Sequence, residues 1–234
     1  MTEPGVAAEA DARGVSRLVH FTPGRTFTTI LRDGHIRSRR DVDTRSPEDS
    51  APTDQRRLDG HPDKICCSVE YPNAFYFTTV VNRAEHRNFL GWVCLLLDRE
   101  PMTRRGVLFS PVNAAKGRGC RLRPGRAGLA ACYDTNVDGW RRAPEHLRSA
   151  PTDVQAEVLV PGPIAVSLVR GVVVDTPEAA ENLIVTARML GLADRATRFP
   201  WFVAPDMFDG RRLSAAIRRG DRVGEEPWSR AVPA

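Results

Sequence analysis

Glu157 heads a short apolar run, Val158-Leu159-Val160, and Gln155 stands two residues before it. In an extended chain residues two apart share a face, so this pair is aimed together from an incipient strand instead of being left in solvent. His20 and Thr22 repeat the spacing at the end of the run that starts at Leu18. An imidazole and a hydroxyl then point from one strand face toward a common space. One histidine, one glutamate and no cysteine-rich cluster indicate a site for a polar cofactor and no metal.

The elements that must carry these groups read as an alternating α/β chain. Strands are expected at residues 15–21, 65–69, 74–79, 91–97, 107–109, 156–159 and 166–174, with a last one at 201–203. A short helix is expected at 27–33, ended by Gly34, since glycine supplies the left-handed cap; another is expected at 83–90. The clearest helix is 177–190, with Thr176 to cap it, Pro177 at its first position and Gly191 to end it. Leu183, Ala187 and Leu190 form its apolar stripe. Residues 211–219 can form a basic helix. Residues 1–14, rich in Ala, Glu, Asp and Gly, are expected to be a disordered tail, and 219–234 a second tail. Residues 37–64 read as one long polar loop, unusual inside a compact domain, and 114–126 as a second polar stretch. One domain over 15–218 is expected, with its core at about 15–174 and a helical addition at 175–218.

The chain has 234 residues and a net charge of +5, with a pI near 9.2. That length suits one full core. A mild basic balance suits an approach to a polyanion, because Lys and Arg contacts release counterions from phosphates. Cys66, Cys67, Cys94, Cys120 and Cys132 are odd in number and lack pairing or metal-ligand spacing, so they read as reduced thiols of a cytoplasmic protein. Residues 1–14 lack the apolar core of a secretion signal. No stretch approaches the about 20 apolar residues that cross a bilayer, so no membrane partner is expected.

Seven pieces in order carry a family resemblance: Leu18-Val19-His20-Phe21-Thr22, Ile30-Leu31-Arg32-Asp33-Gly34-His35-Ile36, Arg57-Leu58-Asp59-Gly60-His61, Ser68-Val69-Glu70-Tyr71-Pro72-Asn73, Trp92-Val93-Cys94-Leu95-Leu96-Leu97-Asp98, Pro111-Val112-Asn113-Ala114-Ala115 and Gln155-Ala156-Glu157. Together they resemble the DarT family of NAD-dependent DNA ADP-ribosyltransferases, over about residues 15–174. The resemblance implies an ADP-ribosyltransferase-like α+β fold, with mixed or antiparallel sheets split around an NAD cleft and helices at the flanks. It implies NAD as co-substrate, no metal, a nucleobase acceptor in single-stranded DNA, and a macrodomain hydrolase as antitoxin partner in a toxin-antitoxin or phage-defence pair. The polar region 37–64 is then the part that folds over NAD.

The resemblance also implies roles. Glu157 is catalytic, stabilising charge that develops on the ribose and serving as general base toward the acceptor. Arg57, with Arg56 as the adjacent alternative, is the guanidinium fork for the pyrophosphate, and Arg57 counts with Glu157 as catalytic. His20 and Thr22 hydrogen-bond the cofactor, and Gln155 helps recognise the acceptor. Two positions depart from the pattern: Thr26 stands where many relatives have asparagine, and Asn113 where some place a histidine that approaches the base. Asn113 also fits a plain turn residue. Ahead of Glu157, Trp140, Arg141, Arg142, His146 and Arg148 interleave an aromatic with cations, as a platform for an unstacked base and its phosphates would; a solvated charged loop has the same composition.

Three other readings stay open: the same NAD chemistry on RNA, a protein, a small molecule or water; a non-catalytic nucleic-acid-binding module; and a metal nuclease, disfavoured by the lack of clustered carboxylates and histidines.

Overall fold

A run that is apolar at every position must be covered on both faces if it is a strand. Trp92–Leu97 is such a run and forms β4, buried throughout. Its side chains divide by parity: Val93, Leu95 and Leu97 enter one core cluster, and Trp92, Cys94 and Leu96 enter another. In the computed structural model, which describes residues 2–45, 57–81 and 91–229, β4 lies inside a mixed sheet. β1 (Leu18–Pro23) runs antiparallel on one side of it and β11 (Val169–Val174) on the other. Outside β11 come β12 (Trp201–Val203), parallel to it, and β13 (Glu226–Trp228). Outside β1 come β3 (Lys64–Val69), β9 (Glu157–Pro161), β5 (Leu108–Ser110) and β6 (Arg123–Pro124).

Helices cover both faces. α2 (Gly24–Asp33) and α6 (Pro177–Met189) bring Phe27, Leu31, Leu183 and Ile184 to the first cluster. α4 (Ala74–Val81) and α8 (Gly210–Arg219) bring Ala74, Val80, Leu213 and Ile217 to the second. α6 has the expected ends: the Thr176 hydroxyl accepts from the Ala179 N–H at 3.1 Å, and Gly191 is left-handed at φ 69°. Such a cap contributes about 1 kcal/mol. Truncating a fully buried leucine such as Leu95 would cost about 2–5 kcal/mol.

A split in the sheet positions the site. β1 and β3 pair at Leu18–Val69 and Val19–Ser68; beyond these pairs β1 follows β4 while β3 follows β9. Parted strands leave backbone groups that need other partners. His20 is the first residue of β1 past the last pair.

Several expectations are corrected. Residues 4–13 form α1 (Pro4–Arg13) instead of a disordered tail: proline opens it, left-handed Gly14 closes it, Glu9 pairs with Arg13 and Arg126, and Val6 and Ala10 are buried. It packs on α5 (Gly125–Ala131). Residues 74–79 are helix, not strand. Their β-branched and aromatic side chains favour strands, but Asn73 accepts from the Tyr76 N–H at 3.0 Å and caps α4. The 37–64 loop contains α3 (Arg39–Arg45). The tail after 219 returns as β13. Leu190 is half exposed at the end of α6 and not part of a buried stripe. The helix expected at 83–90 lies outside the described residues. Remaining elements are the short pair β2 (His35–Ile36) with β10 (Ile164–Ala165), α7 (Ala193–Thr197), and a hairpin of β7 (Asn136–Val137) and β8 (Trp140–Arg141). Asp138 and Gly139 at its tip both have positive φ, the twist that two-residue hairpins require. Among the described residues no helix is long and apolar enough to cross a membrane.

Candidate active site

Glu157 is the first residue of β9, in register with Ser110 of β5. Its Oε1 accepts from Asn113 Nδ2 at 3.1 Å and Asn73 Nδ2 at 3.3 Å, and its Oε2 accepts from the Ala114 N–H at 3.1 Å. The Ser110 hydroxyl is buried and among the described residues has no hydrogen-bond partner. Burial raises the Glu157 pKa to about 7, and the donors from Ala114 and Asn73 hold it from rising further. Half-buried at the wall of a cleft, this carboxylate can exist in either form near neutrality.

His20 faces the same cleft. A cavity of about 100 Å³ is lined by His20 and Phe21 of β1, Cys66 and Cys67 of β3, Asp59, Asn73, Tyr76, Asn113 and Glu157. His20 Nδ1 lies 2.9 Å from the Cys66 carbonyl, closing the gap left where β1 and β3 part. A carbonyl only accepts, so Nδ1 carries the hydrogen and Nε2 is the acceptor of the neutral ring. Burial lowers the His20 pKa and favours that neutral form. His20 also borders a larger cavity of about 430 Å³, walled by Thr26, Thr29, Arg32 and Asp33 of α2, His35, Arg37, Val42 and Arg45.

The other sequence-named residues divide. Thr22 shares the face of His20 but is buried against β4 and lies outside both cavity linings. Thr26, the position that departs from the family pattern, lines the larger cavity. Arg57, expected as the phosphate fork, is close enough to act on the Glu157 charge, and its guanidinium is engaged within the protein. Its Nε donates to Asp59 at 3.0 Å, Nη1 to the Lys64 carbonyl at 3.0 Å and Nη2 to the His61 carbonyl, so the guanidinium braces its own turn. Arg56 lies outside the described residues. Gln155 sits in the turn before β9, its backbone N–H donating to Asp153 at 2.9 Å; the strand starts at Glu157, so the pair does not share a strand face. Asn113 is at once the turn residue and a site residue, because its Oδ1 accepts from the Ala115 N–H at 3.0 Å.

The platform ahead of Glu157 is reduced. Arg142 donates to the carbonyls of Ala150, Leu147 and Arg148 and lies over Tyr133. His146 is buried on the Pro151 carbonyl at 3.0 Å, and Arg148 donates to the Ala12 carbonyl at 2.6 Å. Arg142 and His146 hold the segment's own fold, and Arg148 ties it to α1. Trp140, with Arg218 5.2 Å above its ring, and exposed Arg141 stay at the surface.

Sequence reasoning missed Asn73, Asp59 and the cations of the larger cavity, Arg32, Arg37 and Arg45. The signal for Asn73 was available: asparagine after proline and before a long apolar run is a helix N-cap pattern. Asp59 accepts from the His61 N–H at 2.7 Å and anchors Arg57. Gly119, left-handed at φ 79°, lets the loop after Asn113 approach this turn; a Cβ there would sit 2.5 Å from the Asp59 carbonyl oxygen. The two segments flanking Glu157 are thus in direct contact.

Comparison with known proteins bears on this geometry. The fold is similar to Thermus sp. 2.9 DarT in complex with NAD+, at a TM-score of 0.55 and 15% identity over 82% of this chain and 97% of that one. It is similar to the same protein in complex with ADP-ribosylated ssDNA, at 0.55 and 15%, over 83% and 97%. Thermosipho africanus DarTG in complex with ADP-ribose gives 0.56 and 15%, over 82% of this chain and 51% of that chain. The search of curated proteins finds no match. The family model "ssDNA thymidine ADP-ribosyltransferase, DarT" matches residues 19–209. That span exceeds half of the chain and holds both His20 and Glu157, so the chain belongs to the DarT family and is an ADP-ribosyltransferase.

Proposed function

We propose that this enzyme transfers ADP-ribose from NAD to a thymidine base in single-stranded DNA, with Glu157 as the catalytic carboxylate. The observation that carries the reading is one carboxylate, held by three aimed donors, in the cleft that His20 shares. NAD as substrate supplies a nicotinamide–ribose bond whose cleavage leaves positive charge on the sugar. A carboxylate fixed beforehand favours that charge without reorganising as it develops. Because burial brings the Glu157 pKa to about 7, the same group can take a proton from the attacking base.

His20 Nε2 is suited to accept a hydrogen bond from a ribose hydroxyl, with Thr26 and Thr29 as neighbours in the larger cavity; Thr22 acts through packing of β1. Arg32, Arg37 and Arg45 border that cavity and bring the cationic charge a pyrophosphate needs, Arg37 while paired with Asp33; Arg57, paired with Asp59, also acts through its field on Glu157. Gln155, Trp140 and Arg141 are assigned to the acceptor side, and Arg142 braces the loop that follows Arg141 through the carbonyls of Leu147, Arg148 and Ala150. An unpaired strand is the easier substrate, since extracting a base from a duplex costs roughly a few kcal/mol. The complex of Thermus DarT with ADP-ribosylated ssDNA supports that acceptor. Thermosipho DarTG, only half of which is covered here, is consistent with a macrodomain antitoxin that reverses the modification, in a toxin-antitoxin pair acting in the cytoplasm.

NAD labelled in its adenylate half tests the reading when incubated with enzyme and thymidine-containing oligonucleotides. Label is expected on the DNA in single strands and not in duplexes. Label recovered wholly as free ADP-ribose would replace the acceptor with water, and no turnover would leave a binding module.

A further inference from the structure

Glu157 is held by two asparagine side chains that can each be oriented in one way only. Asn73 uses its Oδ1 to cap α4, accepting from the Tyr76 N–H at 3.0 Å. Asn113 uses its Oδ1 to close its own turn, accepting from the Ala115 N–H at 3.0 Å. An amide whose oxygen is engaged by a backbone donor must turn its NH2 the other way, and in both residues that NH2 meets Glu157 Oε1. The Ala114 N–H completes the set on Oε2. Three donors take three of the four acceptor positions of the carboxylate, so they favour its ionised form and leave one position on Oε2 for a proton.

We infer that Asn73 and Asn113 are positioning residues, an amide clamp that fixes the Glu157 carboxylate in one orientation as a pure acceptor for the transfer step. The inference rests on the reading of Glu157 as the reacting carboxylate. The other titratable groups facing it do not supply this function. Asp59 opposes a second negative charge and is paired with Arg57. Cys66 and Cys67 are kept as neutral thiols by burial, and His20 is kept as neutral imidazole. Lying on separate elements, the two amides hold the carboxylate from two directions. Neither can be replaced by a carboxylate or a histidine without changing what faces Oε1.

Serine tests the clamp, because it still accepts from the backbone N–H at both turns but cannot reach Glu157. Asn73→Ser, Asn113→Ser and the double variant are compared by 13C NMR titration of the Glu157 carboxyl in the free enzyme, with Glu157→Gln assigning the resonance. Each single variant is expected to move the titration midpoint up by about one pH unit, about tenfold in ionised fraction on the acidic side, and the double variant further. The pH profile of transfer should move alkaline in parallel. kcat should fall at neutral pH, the KM for NAD should change little, and raising the pH should restore part of the rate. A midpoint unmoved in both single variants and the double would overturn the clamp, whatever happens to the melting temperature. A moved midpoint in a chain whose wild type transfers nothing would uphold the clamp and overturn the transferase reading.

Discussion

Around Glu157, donors from two separate segments, Asn73 on one side and Asn113 with Ala114 on the other, converge on a single carboxylate. Between residues 135 and 150 the opposite happens: Arg142, His146 and Arg148 turn onto carbonyls of the same region or of α1. Both stretches are polar, but only the first lines the cleft. The difference teaches that residue type names the available donors, while the positions of unsatisfied backbone acceptors decide where those donors go. Only the first stretch leaves its polar groups pointed at something that can react.

The largest expected effect is at the convergent end of this contrast. Glu157→Gln should lower transfer by about 10²–10³-fold or more, the scale for losing one preorganised electrostatic group, with the folded state retained in circular dichroism. A loss smaller than tenfold would break the contrast.

Arg142→Ala probes the inward-turned end. It removes a cation from several carbonyls and from the Tyr133 face, and a stability loss of about 2–4 kcal/mol is expected in urea titration. If stability is unchanged while DNA affinity collapses, Arg142 belongs to the binding surface after all.

Stability against pH sharpens the comparison. A carboxyl whose folded pKa is raised to about 7 from the ordinary value of 4.5 binds more protons folded than unfolded in that window. Its stabilising contribution is therefore complete below about 4.5 and is lost as pH rises through 7. Relative to Glu157→Gln, the wild type should lose about 1–3 kcal/mol between those limits and stay level above them. A flat difference would mean that Glu157 is not desolvated.

The smallest effect is expected at Arg141, exposed on β8. Arg141→Ala should leave stability within about 0.5 kcal/mol, weaken single-strand binding a few-fold, and reduce the magnitude of the salt-dependence slope by about one. An unchanged slope would remove the surface role.

The strands that position the site were legible in the sequence because their apolar runs are long or flanked by clear stops: β4, β11 and the start of β9. Glu157 was marked by its motif and not by its spacing from Gln155, which lies in the turn before β9; His20 was marked by both. α4 was not, since Phe75 to Val80 favour a strand until the Asn73 cap is counted. α1 was not, since composition hides how few buried contacts, Val6 and Ala10 with a salt-bridged Glu9, hold a short helix to α5. Arg57 and Arg142 read as ligand-facing cations because their acceptors, backbone carbonyls exposed by turns, have no signature in the side-chain sequence. Asn73 and Glu157 are 84 positions apart, and only the pairing of β3 with β9 brings them together.

Mass spectrometry of two single-stranded oligonucleotides that differ at one thymidine, treated with NAD and either wild type or Glu157→Ala, decides whether Glu157 carries transfer to thymidine. One added ADP-ribose is expected on the thymidine-containing strand with the wild type, and none with the variant while NAD binding persists. Equal modification by Glu157→Ala, or wild-type modification that ignores the thymidine, would contradict it.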